Sequence, residues 1–136
     1  FTAAVLANVL PSIIVQVIKH SVKAPRPLKF FEEADWIHSL PEWSKHMSNS
    51  FPSGHTCGAF CFFTFLAILL IPKYKYLGFV FFVCALLVAY SRVYLSQHYF
   101  IDIYVGSLVG TGVTLLSFYG FNKIKFGNWG NKSILK

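Results

Sequence analysis

The chain has 136 residues, of which 55% are hydrophobic and 18% aromatic, while only 12% are charged against about 25% in an ordinary soluble domain. That balance excludes a soluble globular fold, which at this size has too little interior to hide so much apolar surface. The net charge of +7 does not point to nucleic acid, because Lys73, Lys75, Lys123, Lys125, Lys132 and Lys136 follow the ends of apolar segments and form no basic stripe with exposed aromatics.

Four stretches carry no charged side chain over about the thickness of a bilayer: Phe1–Ile18, Thr56–Pro72, Tyr76–Ser91 and Ile103–Asn122. They predict an all-α integral membrane bundle with four membrane helices, over about 1–20, 53–71, 75–92 and 99–121. The chain opens inside the first apolar run without a basic leader or a small-residue cleavage site, so a fragment or trimmed domain is expected, not a signal peptide. Pro11 is expected to kink the first helix, and Pro25 and Pro27 to end any helical run.

Residues 21–52 form the extramembrane loop. They hold Glu32, Glu33, Asp35 and Glu42, four of the five acids, with Trp36 and Trp43 as interface anchors. The second helix starts at Pro52-Ser53-Gly54 and ends near Ile71, before a basic turn at Pro72-Lys73-Tyr74-Lys75. The third helix runs to about Ser91, and Val93–Gln97 connects it to the fourth. Gly106, Gly110 and Gly112 give that last helix a face suited to close packing. Residues 123–136 read as a basic cytoplasmic tail. Cys57, Cys61 and Cys84 sit in apolar runs and are expected to pack as small hydrophobes, with neither a disulfide framework nor a zinc site.

Three polar islands interrupt this apolar chain: Lys19 to Arg26-Pro27, then Pro52-Ser53-Gly54-His55, then Ser91-Arg92 to His98 and Asp102. Both arginines of the chain lie in them. If the basic ends at Lys73/Lys75 and the tail stay on the cytoplasmic side, the islands all fall at the opposite ends of the helices. Hydropathy and charge alone therefore bring them to one membrane face.

Each island has a chemical reading. Ser53 is a good N-cap, and Gly54 lets a ligand approach the backbone of a helix N-terminus, which favours anions. His55, in that first turn, can face the anion. His98 and Asp102 are four residues apart, on one helix face. A carboxylate holding Nδ1–H leaves Nε2 free and steadies the ring as it gains charge. Arg26 and Arg92 offer planar forks for phosphate oxygens, and Lys19 a point charge. Taken singly, a capped helix start, a structural His–Asp pair and a snorkelling lysine account for these residues. Those accounts leave the shared face and the His–Asp spacing unexplained. Asp102 reads as the orienter of His98 in preference to a helix cap.

The series K-x6-RP, PSGH and SR-x5-H-x3-D, matched at all eleven specified positions between Lys19 and Asp102, resembles the signature of the type 2 phosphatidic acid phosphatase (PAP2) superfamily. That superfamily includes bacterial acid phosphatases, glucose-6-phosphatase and vanadium haloperoxidases. The resemblance implies His98 as a nucleophile that becomes phosphohistidine, Asp102 as its orienter, and His55 as the acid for the leaving oxygen. It implies Lys19, Arg26, Ser53, Gly54 and Arg92 as the phosphate cradle, with no metal and no cofactor. It also implies a six-helix integral protein, with two helices ahead of Phe1.

The expected function is a membrane phosphatase acting on a lipid phosphate or diphosphate: undecaprenyl diphosphate, phosphatidic acid, phosphatidylglycerol phosphate or lipid A. The expected location is a bacterial inner membrane with the site on the periplasmic side. The loop around Trp36, His38, Trp43 and His46 is the candidate lid or headgroup selector, or an interface anchor. Vanadate-dependent oxidation would call for a soluble chain, which the four apolar spans oppose. A non-catalytic membrane scaffold or transporter subunit would have lost a catalytic residue, and none is missing.

Overall fold

A computed structural model of the chain describes residues 2–30 and 48–123. The candidate lid with Trp36, His38, Trp43 and His46, and the tail from residue 124, lie outside the described residues. Helices α1 (Thr2–Val22), α2 (Pro27–Phe30), α3 (Gly54–Leu70), α4 (Leu77–Tyr94) and α5 (Phe100–Lys123) account for the fold, and there is no strand among the described residues.

Local chemistry sets the helix ends. Ser53 caps α3: its Oγ accepts from Thr56 N–H at 3.3 Å. Past the end of α1, Lys23 takes a left-handed backbone (φ 49°) and returns its N–H to Lys19 O at 3.0 Å. Pro27 does not merely stop a helix; it begins the one-turn α2, where its fixed φ suits a first helical position and its missing N–H costs nothing. The turn after α3 is tightened by Lys73 and Tyr74 N–H groups, both donating to Leu70 O. That turn moves α4 two residues later than the expected 75–92 and draws Arg92 into its last helical turn.

Helix α3 is the hub. It packs against α1, α4 and α5, and α5 also packs against α1, while α4 and α5 touch only lightly. Against α4 it buries Phe60 with Ala85 and Ala89, and Phe63 stacks on Phe81 at 5.9 Å. Against α5 the backbones come very close. A Cβ on Gly106 would stand 2.7 Å from Ser53 O, and one on Gly110 would stand 2.4 Å from Cys57 O. Gly112, the third glycine expected on this face, has nothing within 4 Å of such a position. Cys57 and Cys61 are buried small residues at this seam, as expected. Thr114 donates to Gly110 O at 2.7 Å beside Cys61 Sγ.

The outside of the bundle is apolar. Phe79, Phe100 and Leu116 are each at least 70% exposed. Helix α4 and residues Phe100–Gly120 of α5 are long and apolar enough to cross a membrane, and only 11% and 22% of these spans are buried within the fold. The core helix of a soluble protein would be mostly buried, so these faces are built for lipid. Of the four membrane helices expected, only these two have the length and apolarity of a span among the described residues; α3 is apolar but has only 17 residues, because the Ser53 cap and the turn at residues 71–76 clip both its ends.

The α3–α5 seam makes a prediction. Gly110→Ala forces backbone against backbone and is expected to destabilise the fold by about 1–3 kcal/mol, an overpacking cost. Gly112→Ala is expected to be neutral or mildly stabilising, since alanine is the better helix former. Unfolding midpoints of the two variants in detergent check this; equal midpoints would contradict the close approach.

Candidate active site

The residues of the three polar islands gather at one end of the bundle. Lys19 ends α1, Arg26 lies in the link to α2, and Ser53, Gly54 and His55 open α3. Arg92 ends α4, His98 precedes α5, and Asp102 stands in the first turn of α5. The structure brings all eight sequence-predicted residues into this one region. His55 is within electrostatic range of Arg92, His98, Lys19 and Arg26. Lys19 Nζ lies 4.0 Å from where a Gly54 Cβ would stand, and it interacts with Arg26 and Asp102.

Asp102 sits at the centre of the hydrogen bonding. Its carboxylate is 2% exposed. Oδ2 accepts from Tyr99 N–H at 3.0 Å, from the Ser50 hydroxyl, and from His98 Nδ1 at 3.3 Å. The Tyr99 bond is the return half of a capping box, in which a side chain in the first turn satisfies the N-cap amide. The same carboxylate oxygen of Asp102 therefore meets His98 and caps α5.

The spacing between Arg92 and His98 also has a physical basis. After α4, Ser96 turns left-handed (φ 53°), and Arg92 O accepts from both Gln97 N–H at 3.0 Å and His98 N–H at 3.3 Å. This closed C-terminal turn fixes His98 against the base of Arg92. His98 is 3% exposed. Burial pushes its pKa below the ordinary imidazole value, helped by the Arg26 and Lys19 charges and opposed by Asp102. A carboxylate can only accept, so Nδ1 carries the proton and Nε2 is the free ring nitrogen.

Two contacts depart from the sequence-based picture. Ser53 Oγ is fully buried and engaged by Thr56, accepting from its N–H and from its hydroxyl at 3.0 Å. Its contribution in this structure is to shape the first turn of α3. Ser53 N–H also donates to Asp102 O at 3.0 Å, which ties the two helix starts together.

Sequence reasoning missed Ser50 and Gln97. Gln97 Oε1 accepts from Arg26 Nη1, while Arg26 Nε donates to Ser48 O at 3.2 Å, so the guanidinium is held from two sides. Ser50 touches Asp102 and lies 3.4 Å from His98 Nδ1. The only signal available for either was adjacency: a polar amide next to a motif histidine, and a serine just ahead of Pro-Ser-Gly-His.

The electrostatics favour an anion. Lys19, Arg26 and Arg92 face one carboxylate, Asp102, which is the only acidic residue among the described residues; three cations less one anion leaves two positive charges. Beside them, a cavity of about 320 Å³ is lined by Lys19, Gly54 and His55 and runs along α1 past Gln16 and Ser12. Surplus cations gathered at a helix N-terminus, beside a histidine that burial disfavours from charging, suit nucleophilic attack on a phosphate.

The comparisons with known proteins agree. The chain is 29% identical over 113 residues to an undecaprenyl-diphosphatase of Sulfolobus acidocaldarius, covering 83% of this chain and 51% of that protein. It is 30% identical over 110 residues to a lipid A 1-phosphatase of Rhizobium johnstonii, covering 80% of this chain and 43% of that protein. The chain thus spans about half the length of the curated relatives it matches. The crystal structure of Aquifex aeolicus LpxE superposes with a TM-score of 0.70 at 27% identity, covering 86% of this chain and 66% of that one. A family model described as PAP2 superfamily matches residues 1–126. With the motif residues gathered at one end of the bundle and the family model spanning most of the chain, the chain belongs to the PAP2 superfamily.

Proposed function

We propose that this protein is a membrane lipid phosphatase that cleaves a phosphate or diphosphate group through a phosphohistidine at His98. The observation that carries the reading is the buried His98, its Nδ1 held by the Asp102 carboxylate, facing a site with a surplus of cations. The names of the relatives, an undecaprenyl-diphosphatase and a lipid A 1-phosphatase, support a lipid-linked substrate. So does the position of the site, at the end of a bundle whose helices face lipid.

In this reaction Lys19, Arg26 and Arg92 bind the phosphoryl oxygens together with first-turn N–H groups of α3, where Gly54 lets the anion approach and Ser53 holds the turn by capping Thr56 N–H. Charge in the transition state spreads over those oxygens, so placed cations lower the barrier directly. His98 Nε2 attacks phosphorus as the bond to the leaving oxygen breaks, and His55 gives that oxygen its proton. The neighbours of His55 are cations, so the anionic substrate supplies the charge that holds a proton there. Water then attacks the phosphohistidine and returns a proton to His55, which releases inorganic phosphate and neutral His98. The four helices α1, α3, α4 and α5 cross the membrane in this reading. The site lies opposite the basic ends, on the periplasmic side of a bacterial inner membrane.

Two measurements check this. The full-length protein in detergent is expected to release phosphate from undecaprenyl diphosphate or lipid A with a chelator present, and His98→Ala to lower the rate by at least about 10³-fold, as loss of a nucleophile does. Full activity in His98→Ala would overturn the mechanism, and dependence on added divalent metal would overturn the metal-free assignment. Second, a histidine whose pKa is lowered stays neutral as pH falls to that lower value. An NMR titration of labelled histidine in the substrate-free protein is expected to place the His98 midpoint below about 6.5, and a midpoint above it would contradict the burial argument.

A further inference from the structure

Ser50 is wholly buried, and its backbone is pinned by its N–H, which donates to Ala24 O at 2.9 Å. Its hydroxyl has one proton. Asp102 can only accept, so that proton goes to Oδ2. The lone pairs of Ser50 Oγ then remain turned toward His98 Nδ1, 3.4 Å away, beside the 3.3 Å approach of Nδ1 to Asp102 Oδ2. Each of these distances is long for an N–H···O bond, whose usual range is about 2.7–3.2 Å. Neither oxygen alone fixes the ring, and the Nδ1 proton is bracketed by both.

We propose that Ser50 is a positioning residue for the nucleophile: it orients Asp102 by donation, shares the Nδ1 proton of His98 by acceptance, and so sets the direction of Nε2. The same loop carries the Ser48 carbonyl that holds Arg26, so the segment ahead of α3 aligns the nucleophile and one phosphate-binding cation together. The inference rests on the phosphatase reading. It adds a residue with no place in the eleven-position motif and no chemistry of its own in the reaction.

A buried serine could also serve the fold alone, by satisfying the Asp102 carboxylate. The two roles differ in kinetics. Loss of a group that orients a catalytic side chain typically costs about 10–100-fold in activity. In the full-length protein, Ser50→Ala is therefore expected to lower kcat by about 10–100-fold and to leave KM within about threefold, because substrate binding uses other groups. Since Ser50 acts through Asp102 and His98, adding Ser50→Ala to Asp102→Asn is expected to cost less than about threefold further in single-turnover assays.

Unfolding midpoints in detergent accompany each variant. If Ser50→Ala does not fold, Ser50→Cys keeps the shape but offers only a weak donor, and it is expected to show the same kcat loss. A change in kcat below about threefold in the folded variant would overturn the proposal, as would an equal further loss in the Asp102→Asn background. If the wild type is active, His98→Ala is inactive and Ser50→Ala is normal, only the role of Ser50 falls. If the wild type releases no phosphate from any lipid phosphate, the phosphatase reading falls and this proposal with it.

Discussion

One oxygen holds this structure's chemistry together. Asp102 Oδ2 receives the amide that starts α5, the hydroxyl of the loop leading to α3, and the ring of His98. A carboxylate buried at the end of an apolar bundle is costly unless its acceptor sites are filled. Filling them from three separate segments ties the start of α5, the loop ahead of α3 and the His98 ring to the same atom. Moving any one of them leaves a buried charge under-satisfied, which resists the movement.

The packing beneath sets how close those segments come. Gly106 and Gly110 bring α5 against the backbone of α3 near Ser53 and Cys57, too close for any larger side chain. That contact places the α3 start, with its N–H groups, beside the start of α5 with Asp102. The closed turn after α4 then swings His98 into the same space, under Arg92. This geometry favours an anion, because α1, the α1–α2 link and α4 each bring one cation to a region with a single carboxylate among the described residues. The site lies at the end of a bundle whose outer faces are apolar.

Much of this was legible in the sequence, for identifiable reasons. Charged residues bordering long apolar runs are expensive, so Lys19, Arg26, Arg92 and Asp102 stood out and their helix ends predicted a shared face. Helix boundaries were less legible: α4 lies two residues later than expected because the carbonyl of Leu70 accepts two turn N–H groups, a local choice with no periodic signal. Ser50 and Gln97 were invisible because neutral polar residues are common in loops. Their roles depend on partners 52 and 71 residues away in sequence. The three glycines of α5 look alike in sequence, and only the rotation of the helix separates Gly106 and Gly110, which meet α3, from Gly112, which does not.

The central claim is that His98 carries the phosphoryl group between two half-reactions. The most direct test is to mix the full-length protein with a lipid substrate labelled in its phosphate, quench within one turnover, and map the label by peptide mass analysis. The account predicts one labelled peptide containing His98, with a phosphoryl bond that is lost in acid and survives base, as a phosphorus–nitrogen bond does. Label on any other residue, or turnover in an active protein with no label on His98, would contradict it.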